Sequence, residues 1–180
     1  MYNPYTRCPY RYMAPADTLY NNEADPRPYP SYEEAYNNRY ARTKDYGPDP
    51  FALNIEKATK VNDAFRSTLW TGENLQLTLM SLHVGEDIGL EIHHDHDQFI
   101  RIEEGQGMVQ MGDREDQLDF QKQVFDDDAI FVPAGKWHNL INTGRGPLKL
   151  YSIYAPPEHP PGTLHETKAI AQSAKSYNGY

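Results

Sequence analysis

Five of the seven histidines could take part in metal chemistry. His83, His93, His94 and His96 lie within or just ahead of the stretch from Gly85 to Gly105, and His138 follows in a later turn-to-strand segment. Neutral imidazole is the commonest side-chain ligand of transition metals, and Glu91, Asp95 and Asp97 stand beside these rings with carboxylate oxygens. Along an extended strand alternate residues share a face, so Glu91 and His93 would reach one ion from one side. His94 and His96 make a competing pair on the opposite face. A turn reading His-His-Asp-His-Asp is also an ordinary solvated loop, so clustering alone does not choose.

The wider spacing resembles the cupin superfamily. Its first motif is Gly, five residues, His-x-His, three or four residues, Glu, six residues, Gly. This chain reads Gly85, five residues, Glu91-Ile92-His93, four residues, Gln98, six residues, Gly105. Glu91 stands where the first His is usual, and Gln98 where Glu is usual. The second motif is Gly, five residues, Pro-x-Gly, two residues, His, three residues, Asn. Here it reads Asp127, five residues, Pro133-Ala134-Gly135, two residues, His138, three residues, Asn142, with only the opening glycine replaced. The register that uses His94-x-His96 instead puts Ile100 or Arg101 where Glu belongs and loses the flanking glycines. The resemblance covers about residues 66–161 and is nearest to small single-domain bacterial cupins.

That resemblance implies an all-β fold, a double-stranded β-helix or jelly-roll barrel, with one divalent metal ion at its centre. The ligands it implies are Glu91, His93, Gln98 and His138. Two imidazoles and a carboxylate with open positions suit Fe, Mn, Ni or Zn. Gln98, a neutral amide, is the weak member. Glu91 is the expected catalytic residue, exchanging between ligand and base. The plainer alternative makes His93 and His138 hydrogen-bonded barrel residues of a cupin without metal, and Gln98 a partner for a neighbouring polar group. His83 reads as a strand-end residue, and His94 and His96 as exposed. Gly105 and Gly135 are expected to make turns, and Asp126-Asp127-Asp128 a solvated turn.

The elements that would hold these residues are short strands. Leu75, Leu77 and Leu79 alternate with Gln76 and Thr78, which predicts a half-buried strand. Further strands are expected at Gly89 to His93, Gln98 to Glu103, Gly107 to Met111, Ala129 to Val132, Leu140 to Asn142 and Lys149 to Ala155. Glycine- and proline-rich turns separate them. Residues 1–50 differ: they hold ten of fourteen tyrosines and eight of fourteen prolines, with one Leu and no Val, Ile, Phe or Trp. Such a stretch cannot bury a core of its own and is expected to be an irregular arm, with a short helix over Tyr32 to Lys44. The barrel is expected over residues 51–161. Residues 162–180 form a tail with a helix from His165 to Lys175, Ile170 its one bulky apolar side chain.

Composition excludes several classes. Seventeen basic against twenty-six acidic residues leave a formal charge of −9, a poor match for nucleic acid or anionic lipid. No apolar run approaches a bilayer span. One cysteine, Cys8, cannot form an internal disulfide. No phosphate loop or nucleophile elbow occurs. With no secretory signal in evidence, a cytoplasmic location is expected. The leading expectation is metal-dependent chemistry, isomerase- or oxygenase-like, on a small polar molecule. The rival is a structural, assembly role of the kind found in spore coats, with the tyrosine-rich arm serving for packing. Either way a homo-oligomer, dimer or larger, is expected.

Overall fold

The computed structural model describes residues 44–177. The arm up to residue 43, and with it nearly all of the helix expected over Tyr32 to Lys44, lies outside the described residues. Helix α1 spans Ile55–Val61, and nine strands follow: β1 Arg66–Thr71, β2 Gln76–Leu82, β3 Asp97–Glu104, β4 Gln106–Gly112, β5 Phe120–Phe125, β6 Ala129–Val132, β7 Trp137–Asn142, β8 Leu148–Ala155 and β9 Leu164–His165. Helix α2, Lys168–Tyr177, closes the described chain. Every named pairing is antiparallel. One sheet has the order β6-β3-β8-β2-β1-β9 and the other β5-β4-β7. Isolated bridges from Asp87 to Ile141 and Glu91 to His138 lay the segment before β3 along the free edge of β7. The inner faces enclose a core that includes Met80, Leu82, Ile100, Ile102, Val109, Leu140 and Leu150. This is the jelly-roll arrangement, in which two sheets curl around one interior.

At β2 the six-stranded sheet is covered on both faces, and this corrects the reading of that strand. Leu77 and Leu79 point outward, where Ala58, Ile55 and Leu69 pack with them. Gln76 and Thr78 point inward and are fully buried. The alternation was legible, but the polar face lines the barrel, because α1 roofs the outer face. Asn54 starts that helix, its side chain accepting from the Lys57 amide at 2.9 Å. The chain just before it is tied to β1: the Tyr46 amide donates to the Leu69 carbonyl at 2.9 Å, and Asp45 accepts from the Thr71 and Gly47 amides. A side chain at Gly47 would collide with the Thr71 backbone, its Cβ 2.0 Å from the carbonyl oxygen, so this close approach requires glycine.

The strands expected from Gln98, Gly107, Ala129, Leu140 and Lys149 are present as β3, β4, β6, β7 and β8. The segment from Gly89 to His93 is not a regular strand; only Glu91 bridges to β7. β1 and β5 were not anticipated. β5 has a single buried side chain, Val124, so it shows no alternation to read. Chain beyond residue 161 re-enters the sheet as β9, against Arg66 and Ser67. Helix α2 docks through Ala171, 4% exposed, whereas Ile170 is exposed.

Candidate metal centre

Glu91, His93 and His138 meet inside the barrel. One Glu91 carboxylate oxygen, Oε1, lies 3.7 Å from His93 Nε2 and 3.7 Å from His138 Nε2. All three residues are buried. The backbones of Glu91 and His138 exchange both hydrogen bonds of their bridge, at 3.0 and 2.9 Å, which fixes one ligand-bearing segment against the other. The loop over Gly135, at φ 78°, is fastened to the first motif where the Gly135 amide donates to the His93 carbonyl at 2.7 Å. Glycine is needed for that left-handed turn. Asn142 serves the backbone, its amide nitrogen donating to the Leu82 and Gly146 carbonyls.

The donor set suits a divalent cation. His138 Nδ1 lies 3.0 Å from the Lys136 carbonyl and donates to it, which leaves Nε2 as the lone-pair nitrogen. Among the described residues, His138 Nε2, His93 Nε2 and the Gln98 amide oxygen find no hydrogen-bond partner, and all three are buried. Buried acceptors without a donor are costly, and a cation satisfies them together. The Gln98 amide nitrogen donates to Ser152 Oγ at 2.8 Å and to the Tyr154 hydroxyl at 3.1 Å, so its oxygen is the end left over. Gln98 is also Cα partner to Tyr154 and Val132, which places it on the inward face.

A second group stands beside the first. His93 Nδ1 is 3.6 Å from Glu158 Oε2, and His96 Nε2 is 3.5 Å from the same oxygen. The His93 and His96 rings stack with centroids 4.7 Å apart. His96 is thus buried, 7% exposed, and not the exposed residue its strand parity implied. The chain bends at His94 and Asp95, so the two-residue period breaks and His96 returns to the side of His93. His94 is exposed as expected, and so is His83, just past the end of β2. Asp95 holds the outer nitrogen of His96 at 2.8 Å, and that hydrogen bond lowers the Asp95 pKa against the opposing effect of desolvation.

Tyr154 and Glu158 were not anticipated. Tyr154, 1% exposed, sets its ring edge-on to His93 and His96 at centroid distances of 5.7 and 6.0 Å. Burial is the main reason its hydroxyl is pushed up to about 12. The alternation Leu150, Ser152, Tyr154 in β8 could have placed it inside. Glu158 lies in a loop after β8 with no pattern to read. That loop is held where the Gln76 amide nitrogen donates to the His159 carbonyl at 2.7 Å and its oxygen accepts from the His159 amide at 2.9 Å.

Comparisons with known proteins agree with the fold and the motifs. Residues 78–154 match the cupin domain family. The uncharacterised protein YrkC of Bacillus subtilis (strain 168) is 63% identical over 141 residues, covering 78% of this chain and 76% of YrkC. The crystal structure of BH2720 from Bacillus halodurans shares 68% identity at a TM-score of 0.72, over 72% of this chain and 98% of that one. A conserved protein with a double-stranded β-helix domain from Klebsiella pneumoniae, 16% identical, aligns over 66% of this chain and all of its own with a TM-score of 0.50, a likeness of fold alone. The chain belongs to the cupin family.

Proposed function

We propose that this chain is a metal-dependent cupin that binds one divalent ion through Glu91, His93 and His138, with Gln98 as a weak fourth ligand, and acts on a small polar molecule in the barrel. The observation that carries this reading is the pair of buried, unpartnered Nε2 atoms facing one Glu91 oxygen. Bound there, an ion of the Fe, Mn, Ni or Zn kind would supply Lewis acidity toward an oxygen of the substrate. His138 keeps its lone pair inward through the Lys136 carbonyl. Glu91 has a carboxylate that can hold a proton taken from a substrate carbon or water. Tyr154, whose hydroxyl stays protonated at neutral pH, is placed to donate a hydrogen bond. The Glu158 loop limits access of water to His93. Isomerisation and oxygenation both fit this set of groups.

The test is unfolding of tag-free protein with and without a chelator. Metal removal should lower the melting temperature, and refilling should restore it, because an ion that binds only the folded state stabilises it. His138→Ala should not respond. An unfolding curve indifferent to chelation in the wild type contradicts the reading.

A homo-oligomer belongs to the same proposal. Phe131, Phe99, Ile153, Leu77 and Trp70 form one cross-strand row on the outer face of the large sheet. Phe131 at its end is 71% exposed. A row of this kind supports sheet-to-sheet packing with a second copy.

A further inference from the structure

Arg66 is the largest fully buried side chain of the barrel, 2% exposed. Its cross-strand row on the inward face runs His165, Arg66, Met80, Leu150, Ile102. Three of those neighbours, Met80, Leu150 and Ile102, belong to the apolar core. Among the described residues no carboxylate pairs with the guanidinium, and its Nε is buried without a hydrogen-bond partner. The Phe65 ring lies 5.6 Å from its Cζ. Lys149, the other buried cation of this sheet, faces outward and donates to the Asn62 carbonyl. Guanidinium does not lose its proton in a protein, so Arg66 carries a full positive charge into the interior. A buried charge without an anionic partner is unfavourable, and the Phe65 ring sets only a cation–π contact against that cost.

We infer that Arg66 is an anion-binding residue, which receives the carboxylate of a small carboxylic acid held inside the barrel. The inference rests on the metal-centre reading only for what happens at the other end of that molecule. The inward rows between Arg66 and the metal ligands carry polar side chains, Thr68, Thr78 and Ser152 in one and Gln76, Tyr154 and Gln98 in the next, before they end on the apolar Ile100, Ile130 and Val132. Tyr154 connects the two ends. It is the cross-strand partner of Gln76 on β2, and its ring stands edge-on to His93 and His96. A molecule anchored at Arg66 therefore lies in the same interior as Glu91, His93 and His138. One guanidinium matches one carboxylate in charge and in its paired donors. A phosphate dianion would bring a second charge toward Glu91 with no second interior cation among the described residues to meet it.

The test reads the guanidinium itself. In full-length protein labelled uniformly with carbon-13 and nitrogen-15, the Arg66 Nε–H resonance is assigned through bonds from the Arg66 backbone amide. Sodium acetate is titrated against sodium chloride at equal ionic strength, with metal loaded and with metal removed. The Nε–H signal should shift saturably with acetate in both states. Acetate should raise the melting temperature of the wild type but not of Arg66→Gln, while Arg66→Lys should bind acetate at least about tenfold more weakly. Metal content of Arg66→Gln should equal that of the wild type, so a failed metal centre and a failed anion site give separate signatures. A shift no larger with acetate than with chloride overturns the inference. So does equal stabilisation of Arg66→Gln, or a stronger response to inorganic phosphate than to acetate. The resonance measurement needs only the wild type and stands even if both variants fail to fold.

Discussion

Glu91 and His93 sit two residues apart and converge with His138, forty-five residues further on, because the Glu91–His138 bridge joins the two segments that carry them. The spacing of the motifs made this trio legible. His96 was not, because strand parity was extended through a bend it does not survive. Gln98 tests the donor argument most sharply. Its oxygen is buried and unpartnered, yet a neutral amide competes poorly with water for a cation. Gln98→Glu should therefore tighten metal binding about tenfold or more, measured by competition with a chelating dye. Unchanged affinity would place Gln98 outside the ligand set. Asp127 stands where the second motif opens on glycine and adopts φ 70°, the left-handed conformation that glycine provides freely. It is an exposed turn residue, with its amide donating to the Ile102 carbonyl at 3.0 Å. Asp127→Ala should lose about 1 kcal/mol of stability to denaturant, and Asp127→Gly should not.

Among the elements, β3, β4, β6, β7 and β8 announced themselves because alternation and glycine turns agree with the pleat. β1 did not: Arg66, Ser67, Thr68 and Thr71 are all buried polar residues, so hydropathy gives no hint of an interior strand. The same cause inverted β2, whose inward face is Gln76 and Thr78. The tie between β1 and the chain ahead of α1 rests on Asp45. Burial raises its pKa, but hydrogen bonds from Thr71, Gly47 and Gly162 outweigh that and leave it lowered. A carboxylate whose folded pKa lies below its unfolded value adds stability above the unfolded pKa and loses it as pH falls through the folded one. Asp45→Asn should thus cost about 1–2 kcal/mol at neutral pH, and the gap from wild type should close below about pH 4. A gap in denaturation midpoint that persists unchanged at pH 3 would mean that the charge is not what matters.

For the molecule as a whole, the inward face of the large sheet sets a polar patch, with Gln76, Thr78, Gln98 and Ser152, beside the apolar core, and its outer face carries an apolar row that ends on the exposed Phe131. Phe131→Ser should leave the metal site and the melting curve nearly unchanged, since Phe131 is exposed, but should lower the oligomer's mass or its resistance to dilution in light scattering. An identical mass at every concentration would remove that row from the interface. The central claim is that one ion sits among Glu91, His93 and His138, and elemental analysis of tag-free protein tests it most directly. The wild type and His94→Ala should each carry close to one divalent ion per chain, and His138→Ala should be nearly empty. If His138→Ala keeps full occupancy while His96→Ala loses it, the ion belongs to His93, His96 and Glu158, and the account given for the centre is wrong.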